Sequence, residues 1–232
     1  MKNYNFLLVF FIFLTSTINL RAQKDVTKFL GIPVDGSKTE FIKNLKLKGF
    51  TSSPDNKEIL VGEFNGANVN IHVATNNNKV SRIMVSDVNT LNEAGIKIRF
   101  NKLCQQFQKN EKYIKLSEEN YEISEQEDIS YQMDVRNILY DALFYQKTEI
   151  ETVSNEAALK IKESLLTKYT KDQIEHPTDE IKKEIEQRVI SYIIDKSTKK
   201  AVWFRIFKLK HDEYYISIYY DNEYNRANGE DL

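Results

Sequence analysis

The sequence contains very little cysteine, proline or glycine. Among its 232 residues there are 1 cysteine, 3 prolines and 7 glycines. A lone cysteine, Cys104, cannot form an internal disulfide, so the fold must be stabilised by its hydrophobic core. The scarcity of proline and glycine argues against an all-β sandwich with many tight turns, and against a long flexible linker.

The chain also lacks a strong excess of either charge. It has 33 basic and 34 acidic residues, which give a formal net charge of −1 at pH 7. Proteins that bind nucleic acid or anionic membranes usually carry a clearly basic surface. We therefore expect no nucleic-acid partner.

Motifs of known catalytic chemistry are missing from the sequence. It contains no Gly-rich phosphate loop, G-x-S-x-G elbow, CxxC pair or HExxH motif. His72, His176 and His211 are isolated from one another, and we expect surface roles for them. Cys104 lies in an apolar helical stripe, which favours a buried, unreactive thiol over a nucleophile. The sequence thus predicts no metal site, no cofactor and no local catalytic motif.

One apolar run stands at the N-terminus. The segment MKNYNFLLVFFIFLTSTINLRAQ has a lysine before the run Phe6–Leu14 and a small residue, Ala22, near its end. The run is much shorter than the about 20 residues that a membrane-spanning helix needs. It predicts a secretory signal peptide over residues 1–22. The mature chain, residues 23–232, then has no transmembrane segment, and we expect it to be periplasmic or secreted.

Start and stop signals predict two helices in the first half of the chain. Ser37 and Glu40 form an S-x-x-E capping box, and Gly49 supplies a left-handed residue that ends the helix. A second box, Thr90 with Glu93, opens a longer helix. The apolar stripe of this longer helix contains Ile96, Phe100, Leu103 and Phe107.

The segment 154–197 is predicted to be helical in two pieces. His176 and Pro177 separate them, because a proline interrupts a helix. We expect Ser154 to cap the first piece and Thr178 to cap the second.

Period-2 alternation predicts three groups of strands. EILVGEFNG, ANVNIHVATNNN and KVSRIMVSDV form a three-stranded antiparallel meander with Asn65-Gly66 as its first turn. ISYQMDV and ILYDALFYQK flank Arg136-Asn137 and are predicted to form a second hairpin. AVWFRIFKL and EYYISIYYD are predicted to form a third.

Hairpins that alternate with helices indicate an α+β fold, in which an antiparallel sheet built from hairpins has helices packed against it. The recurrence of a helix followed by strands suggests tandem helix-plus-hairpin modules. We expect residues 23–232 to form one domain with sub-modules over 23–88, 89–150 and 151–232.

The third hairpin carries the candidate binding surface. Pairing Ile206 with Ile216 places its aliphatic residues on one face, and a slip by one residue would mix the two faces. The other face combines large rings with polar groups, which could stack on a sugar or anchor a protein partner. The alternative is that a helix covers these rings and makes them core. The candidate binding residues are Trp203, Arg205, Phe207, Tyr215 and Tyr219.

Carboxylates offer an alternative function. An exported hydrolase could pair Asp128 with Asp134 or Asp221, because two carboxylates from separate segments leave no local motif. A third hypothesis is a structural or assembly factor of the cell envelope, which would dock a partner on a helix or a sheet edge.

The acidic stretch from Glu118 to Asp128 and the tail from Asp221 onward both suggest calcium binding at first sight. We interpret the acidic stretch as a solvated connector. In a calcium loop that begins at Asp221, the sixth residue should be glycine and the twelfth glutamate, but they are Arg226 and Leu232. We therefore expect no calcium site in the tail.

Three stretches resemble a family of uncharacterised exported proteins from gut-type Gram-negative bacteria. They are FLGIPVDGSKTEFIKNLKLKGF, EDISYQMDVRNILYDALFYQ and YYDNEYNRANGEDL. The resemblance spans most of the mature chain, and it implies a shared fold and export but carries over no catalytic or binding residue. We therefore expect a non-catalytic, exported binding module for a protein or a glycan.

Overall fold

The computed structural model describes residues 25–148 and 150–227. The predicted signal peptide and the last residues of the tail, 228–232, lie outside the described residues. The described residues divide into two compact units, one formed by 26–147 with 199–227 and the other by 148–198. We call the first the sheet unit and the second the helical unit.

The sheet unit contains one eight-stranded sheet in which every neighbouring pair is antiparallel. The spatial order is β3-β4-β5-β6-β10-β9-β8-β7, and a separate two-stranded ribbon, β1-β2, precedes it in the chain. The α+β class is therefore confirmed. The strands are β1 (Lys28–Phe29), β2 (Ile32–Pro33), β3 (Thr51–Ser52), β4 (Ile59–Phe64), β5 (Ala67–Asn76), β6 (Lys79–Asp87), β7 (Tyr113–Ile114), β8 (Asp141–Gln146), β9 (Ala201–Lys208) and β10 (Tyr214–Asp221).

The large sheet consists of two similar halves. Helix α1 (Lys38–Leu47) precedes β3–β6, and helix α2 (Glu93–Lys109) precedes β7–β10. The two four-stranded meanders join where β6 pairs with β10. Each half therefore consists of one helix followed by a four-stranded meander. In the second meander β8 and β9 are paired neighbours, although a long segment separates them in the chain.

The helical unit lies in the chain between these two paired strands. It contains α4 (Ile150–Leu166), α5 (Lys171–Glu175) and α6 (Asp179–Thr198). The unit has its own small core, formed by Ala158, Ile161, Leu165, Ile174, Ile181, Ile185 and Val189. This separate core explains how the helical unit can be inserted between β8 and β9, because the inserted segment buries its own apolar residues.

The caps of this unit confirm one prediction and correct another. The Thr178 hydroxyl accepts a hydrogen bond from the Ile181 amide at 3.4 Å, as expected of an N-cap. The prediction that Ser154 caps the first helix is wrong, because α4 begins at Ile150. The segment also contains one helix more than the two expected, the short helix α5, which Thr170 caps.

The predicted limits of α1 are confirmed. The Ser37 hydroxyl accepts from the Glu40 amide at 3.3 Å. At the other end Gly49 has φ +99°, and the Phe50 amide donates to the Leu45 carbonyl at 3.2 Å. These are the bonds of a Schellman stop.

The predicted cap of α2 is wrong. Asn92 is the N-cap, because its side chain accepts from the Gly95 amide at 2.9 Å. Thr90 and Glu93 have other partners. The Thr90 hydroxyl donates to Glu213, and a Glu93 carboxylate oxygen accepts from the Ile129 amide.

The predicted second hairpin is also wrong, because ISYQMDV forms helix α3 (Ile129–Arg136). The Asp128 side chain caps it by accepting from the Tyr131 amide at 2.8 Å, and Asn137 ends it in the left-handed conformation at φ 55°. Ile129 is buried, and Met133 packs on the same core one turn later. The helical spacing of these two residues outweighs the β-branched composition of the segment.

Helices α1 and α2 pack on one face of the sheet. They bury Phe41, Leu45, Ile96, Phe100, Leu103, Cys104 and Phe107 into a single hydrophobic cluster with alternate residues of the strands. The Phe204 ring belongs to this cluster, and its centroid lies 5.2 Å from that of Phe100 and 5.5 Å from that of Phe107. The remaining strand residues form the other face of the sheet.

Candidate functional site

The other face of the sheet carries all five candidate binding residues. The predicted register is confirmed, since Ile206 is opposite Ile216, Trp203 opposite Tyr219, and Phe207 opposite Tyr215. The alternate residues of β10, of its neighbours β6 and β9, and of β8 beside β9 therefore point to one side. We call this surface the aromatic face and define it by Arg82, Met84, Ser86, Asp141, Leu143, Trp203, Arg205, Phe207, Tyr215, Ser217, Tyr219 and Asp221.

The rings of the aromatic face form two stacked pairs. Trp203 and Tyr219 lie 4.0 Å apart between ring centroids at 13° between planes. Phe207 and Tyr215 lie 5.3 Å apart at 19°. Trp203, Phe207 and Tyr215 are half-buried, while Tyr219 is 9% exposed between its neighbours. None of these four rings belongs to the hydrophobic cluster under α1 and α2.

Asp221 fixes the indole of Trp203. The indole N–H donates to Asp221 Oδ2 at 2.9 Å. Arg82 donates to the same carboxylate twice, from Nε to Oδ1 at 2.5 Å and from Nη2 to Oδ2 at 2.7 Å. This bidentate pair raises the pKa of Arg82, chiefly through the side-chain hydrogen bond to Asp221. The arrangement holds the indole in one orientation, so the ring is preorganised.

Two guanidinium groups accompany the stacked rings. The Arg82 Cζ atom lies 5.2 Å from the Tyr219 centroid and 5.6 Å from the Trp203 centroid. The Arg205 Cζ atom lies 5.5 Å from the Trp203 centroid, within the range of a cation–π contact. Arg205 also donates to Asp141, but its buried Nε finds no acceptor among residues 25–148 and 150–227. Both arginines are thus paired with a carboxylate, and the face has little net charge.

A pair of hydroxyl groups lies in the middle of the sheet. Ser86 on β6 and Ser217 on β10 are opposite each other, with their oxygens 2.7 Å apart. Ser217 is only 2% exposed, and the rings occupy the positions two residues before and after it on β10. Small residues therefore lie between the two ring pairs at the centre of the face.

The three acids considered for hydrolysis have structural partners. Asp128 caps α3, Asp134 forms an ion pair with Lys208, and Asp221 binds Arg82 and Trp203. Asp128 and Asp134 are separated by about 9 Å of helix rise along α3. Asp221 is bonded to Trp203, whereas the α3 residue Asp134 is bonded to Lys208 farther along β9. A retaining glycosidase needs carboxyl groups about 5 Å apart. The geometry of these acids is that of caps and ion pairs.

Cys104 is fully buried, as expected. Burial raises the pKa of its thiol to about 12, so the thiolate form is scarce at neutral pH. In the described part of the chain, no group of three or more His, Cys, Asp or Glu side chains is arranged to hold a metal ion. No described helix combines the length and apolarity that a membrane crossing requires.

A shallow groove of about 870 Å³ lies in the helical unit between α4 and α6. Glu184 is its central charge, and it accepts hydrogen bonds from Lys168, Tyr169 and Arg188. The bond from Lys168 contributes most to lowering the pKa of Glu184 to about 2. The charge of Glu184 is therefore neutralised by its basic partners, Lys168 and Arg188.

The sequence did not indicate Arg82, Asp141 or Leu143 as members of the site. Each reaches the aromatic face through a strand pairing that no local pattern announces. Arg82 is opposite Asp221, Asp141 opposite Arg205, and Leu143 opposite Trp203. A prediction of which strands are neighbours would have found all three.

No protein family model, no curated protein and no solved structure matches this chain. The arrangement itself must therefore indicate its chemistry. Stacked rings, paired arginines and hydroxyl groups on a sheet face offer contact area and hydrogen bonds, and they present no activated nucleophile or general base.

Proposed function

We propose that this chain is an exported, non-catalytic binding module that holds a protein partner on its aromatic face. The observation that carries the proposal is the stacked pair Trp203–Tyr219, which Asp221 fixes and which arginine side chains flank on a partly exposed surface. Tryptophan, tyrosine and arginine dominate the residues that contribute most to protein–protein affinity. Rings that are already fixed lose little conformational entropy when a partner binds.

The same geometry favours a protein over a glycan. Tyr219 already lies against the Trp203 indole, and the Arg82 and Arg205 guanidinium groups lie within 6 Å of its centroid. A sugar ring stacked on the indole would compete with one of these groups. A protein partner can instead contact the ring edges and the guanidinium groups together.

Export is part of the proposal. The N-terminal apolar run and the resemblance to exported proteins support it, and a binding role fits the structural use of Asp128, Asp134 and Asp221 in caps and ion pairs.

The test compares partner capture by three forms of the mature chain. Immobilised wild type, Trp203→Ala and the control Ile98→Ala are each exposed to cell-envelope extract and to a glycan array. Ile98 is a suitable control because its apolar side chain is 69% exposed on α2, which packs on the opposite face of the sheet. The dissociation constant of any captured protein is then measured for all three forms.

We expect Trp203→Ala to raise the dissociation constant of the captured protein by about 30-fold, because about 2 kcal/mol of binding free energy is lost at a hot spot. Ile98→Ala should bind like the wild type. Equal capture by Trp203→Ala and the wild type would show that the aromatic face is not the binding surface. Specific binding on the glycan array that Trp203→Ala abolishes would show that the ligand is a sugar, contrary to the proposal.

A further inference from the structure

The outer edge of β8 is only partly covered by another strand. β8 pairs with β9 from Asp141 to Tyr145, but with β7 only at Tyr145 and Gln146. Within the described part of the chain, no strand lies beside Asp141 and Leu143 on the β7 side.

The hydrogen-bond pattern shows which backbone groups point outward. Ile206 donates to the Tyr140 carbonyl at 3.0 Å, and the Gln146 amide donates to the Lys200 carbonyl at 3.0 Å, so even-numbered residues of β8 bond to β9. In an antiparallel ladder the alternate residues bond to the other side. Asp141 and Leu143 therefore direct their amide and carbonyl groups away from β9.

One side chain of the described residues donates a hydrogen bond to the backbone of this edge. The Tyr121 hydroxyl donates to the Leu143 carbonyl at 3.3 Å, a long bond for a hydroxyl donor. Such an edge is a template for another extended chain, because its amide and carbonyl groups repeat at the spacing of a strand.

Exposed apolar side chains surround the same edge. Leu139 is 59% exposed and Leu143 is 36% exposed. Leu143 lies opposite Trp203, so the edge is continuous with the aromatic face. The loop before β8 adds Ile138, which is 39% exposed. An apolar cluster beside an open strand edge is unusual, since native edges are commonly protected by charge or by covering segments.

We propose that an extended segment of the protein partner adds to the sheet as a strand beside Asp141–Leu143, and that its alternate apolar side chains continue the aromatic face over Leu139 and Leu143. This inference rests on the proposed function and names the form that the partner takes. A glycan lacks the repeating amide and carbonyl groups that match the edge. A segment with few charges fits best, because Asp141 is already paired with Arg205.

Leu143→Pro is the variant that tests the edge. Proline removes the Leu143 amide, which points outward, and leaves the hydrogen bonds between β8 and β9 in place. Leu143→Ala is its matched control, because it shortens the same side chain but keeps the amide. Circular dichroism and the emission of Trp203, the only tryptophan, verify the fold of both variants.

The probe is a peptide selected from a phage-displayed random library against the wild-type mature chain. We expect selection of an extended peptide with alternating apolar residues. Leu143→Pro should bind this peptide about tenfold more weakly than Leu143→Ala, because it loses one backbone hydrogen bond and adds a ring at the edge. Hydrogen exchange at the Asp141 and Leu143 amides of the wild type should slow at least about tenfold when the peptide is bound.

Three results overturn strand addition: no specific peptide is selected, the two Leu143 variants bind the selected peptide equally, or the exchange of both amides is unchanged on binding. If Leu143→Pro does not fold, the exchange measurement on the wild type decides. The two proposals fail separately. Loss of envelope-protein capture in Trp203→Ala but not in Leu143→Pro would leave the proposed function in place and remove the strand-addition model.

Discussion

Removing the carboxylate of Asp221 should destabilise the sheet unit and release the Trp203 indole. The side chain of Asp221 is only 8% exposed and accepts three hydrogen bonds, two from Arg82 and one from the indole N–H. Asp221→Ala leaves both donors without this acceptor.

The size of the effect follows from the exposure of the two partners. Breaking a fully buried ion pair costs about 3–5 kcal/mol, whereas an exposed pair contributes about 0.2–1 kcal/mol. Arg82 is 37% exposed, so solvent screens much of its charge and the value must lie between these limits. We expect Asp221→Ala to lower the free energy of unfolding by about 2 kcal/mol, or the melting temperature by about 4–8 °C.

A double-mutant cycle isolates the pair. Arg82→Gln, Asp221→Asn and the double variant are unfolded in urea, and unfolding is followed by Trp203 fluorescence. Because this is the only tryptophan, its emission reports on the site itself. We expect a coupling free energy of about 1 kcal/mol and a shift in the native emission of Asp221→Ala. A coupling below about 0.3 kcal/mol, with unchanged emission, would refute the assignment of Asp221 as the residue that holds the indole.

Three further predictions concern other parts of the chain. The hydrogen bonds of Glu184 lower its pKa to about 2, from an ordinary value of 4.5. Its ionised form therefore adds to the free energy of unfolding above pH 4.5, and this contribution is lost as the pH falls from 4.5 towards 2. Urea unfolding measured in acid should show this loss in the wild type and less of it in Glu184→Gln. Alkylation of Cys104 at neutral pH should be slow and should accelerate on unfolding, and prompt reaction of the native thiol would contradict its burial. Asp128→Ala should cost about 1 kcal/mol through loss of the α3 cap, whereas an unchanged melting temperature would argue against that cap.

The sequence predicts local structure well where side chains specify it directly. The Ser37 and Gly49 signals define α1 because the groups that start and stop it are adjacent in the chain. The register of the third hairpin follows from the alternation of its residues, because the register that pairs Ile206 with Ile216 keeps the aliphatic residues on one face.

The error at α3 has a local cause. Ile, Tyr, Met and Val in ISYQMDV favour a strand by composition. Asp128 before the segment and Asn137 after it are a cap and a stop, and they bracket a single helix. Weighting these terminal residues above composition would have produced the correct assignment.

The composition of the site depends on long-range pairing. The candidate rings were predictable because β9 and β10 are joined by a short turn. Arg82 is 139 residues from Asp221, and the pairing of β6 with β10 follows from the packing of the two modules. Leu143 was assigned to the wrong hairpin, so its position opposite Trp203 and the open edge beside it became visible only in the assembled sheet.

Titration of Trp203 fluorescence with the captured envelope protein tests the central claim most directly. If the aromatic face is the binding surface, the emission of the wild type should change to saturation as the protein is added. Phe207→Ala removes a neighbouring ring that is stacked on Tyr215 and leaves the indole in place, so it should shift the midpoint about 30-fold to higher concentration. Binding that leaves the Trp203 emission unchanged, with equal affinity for Phe207→Ala and the wild type, would contradict the account.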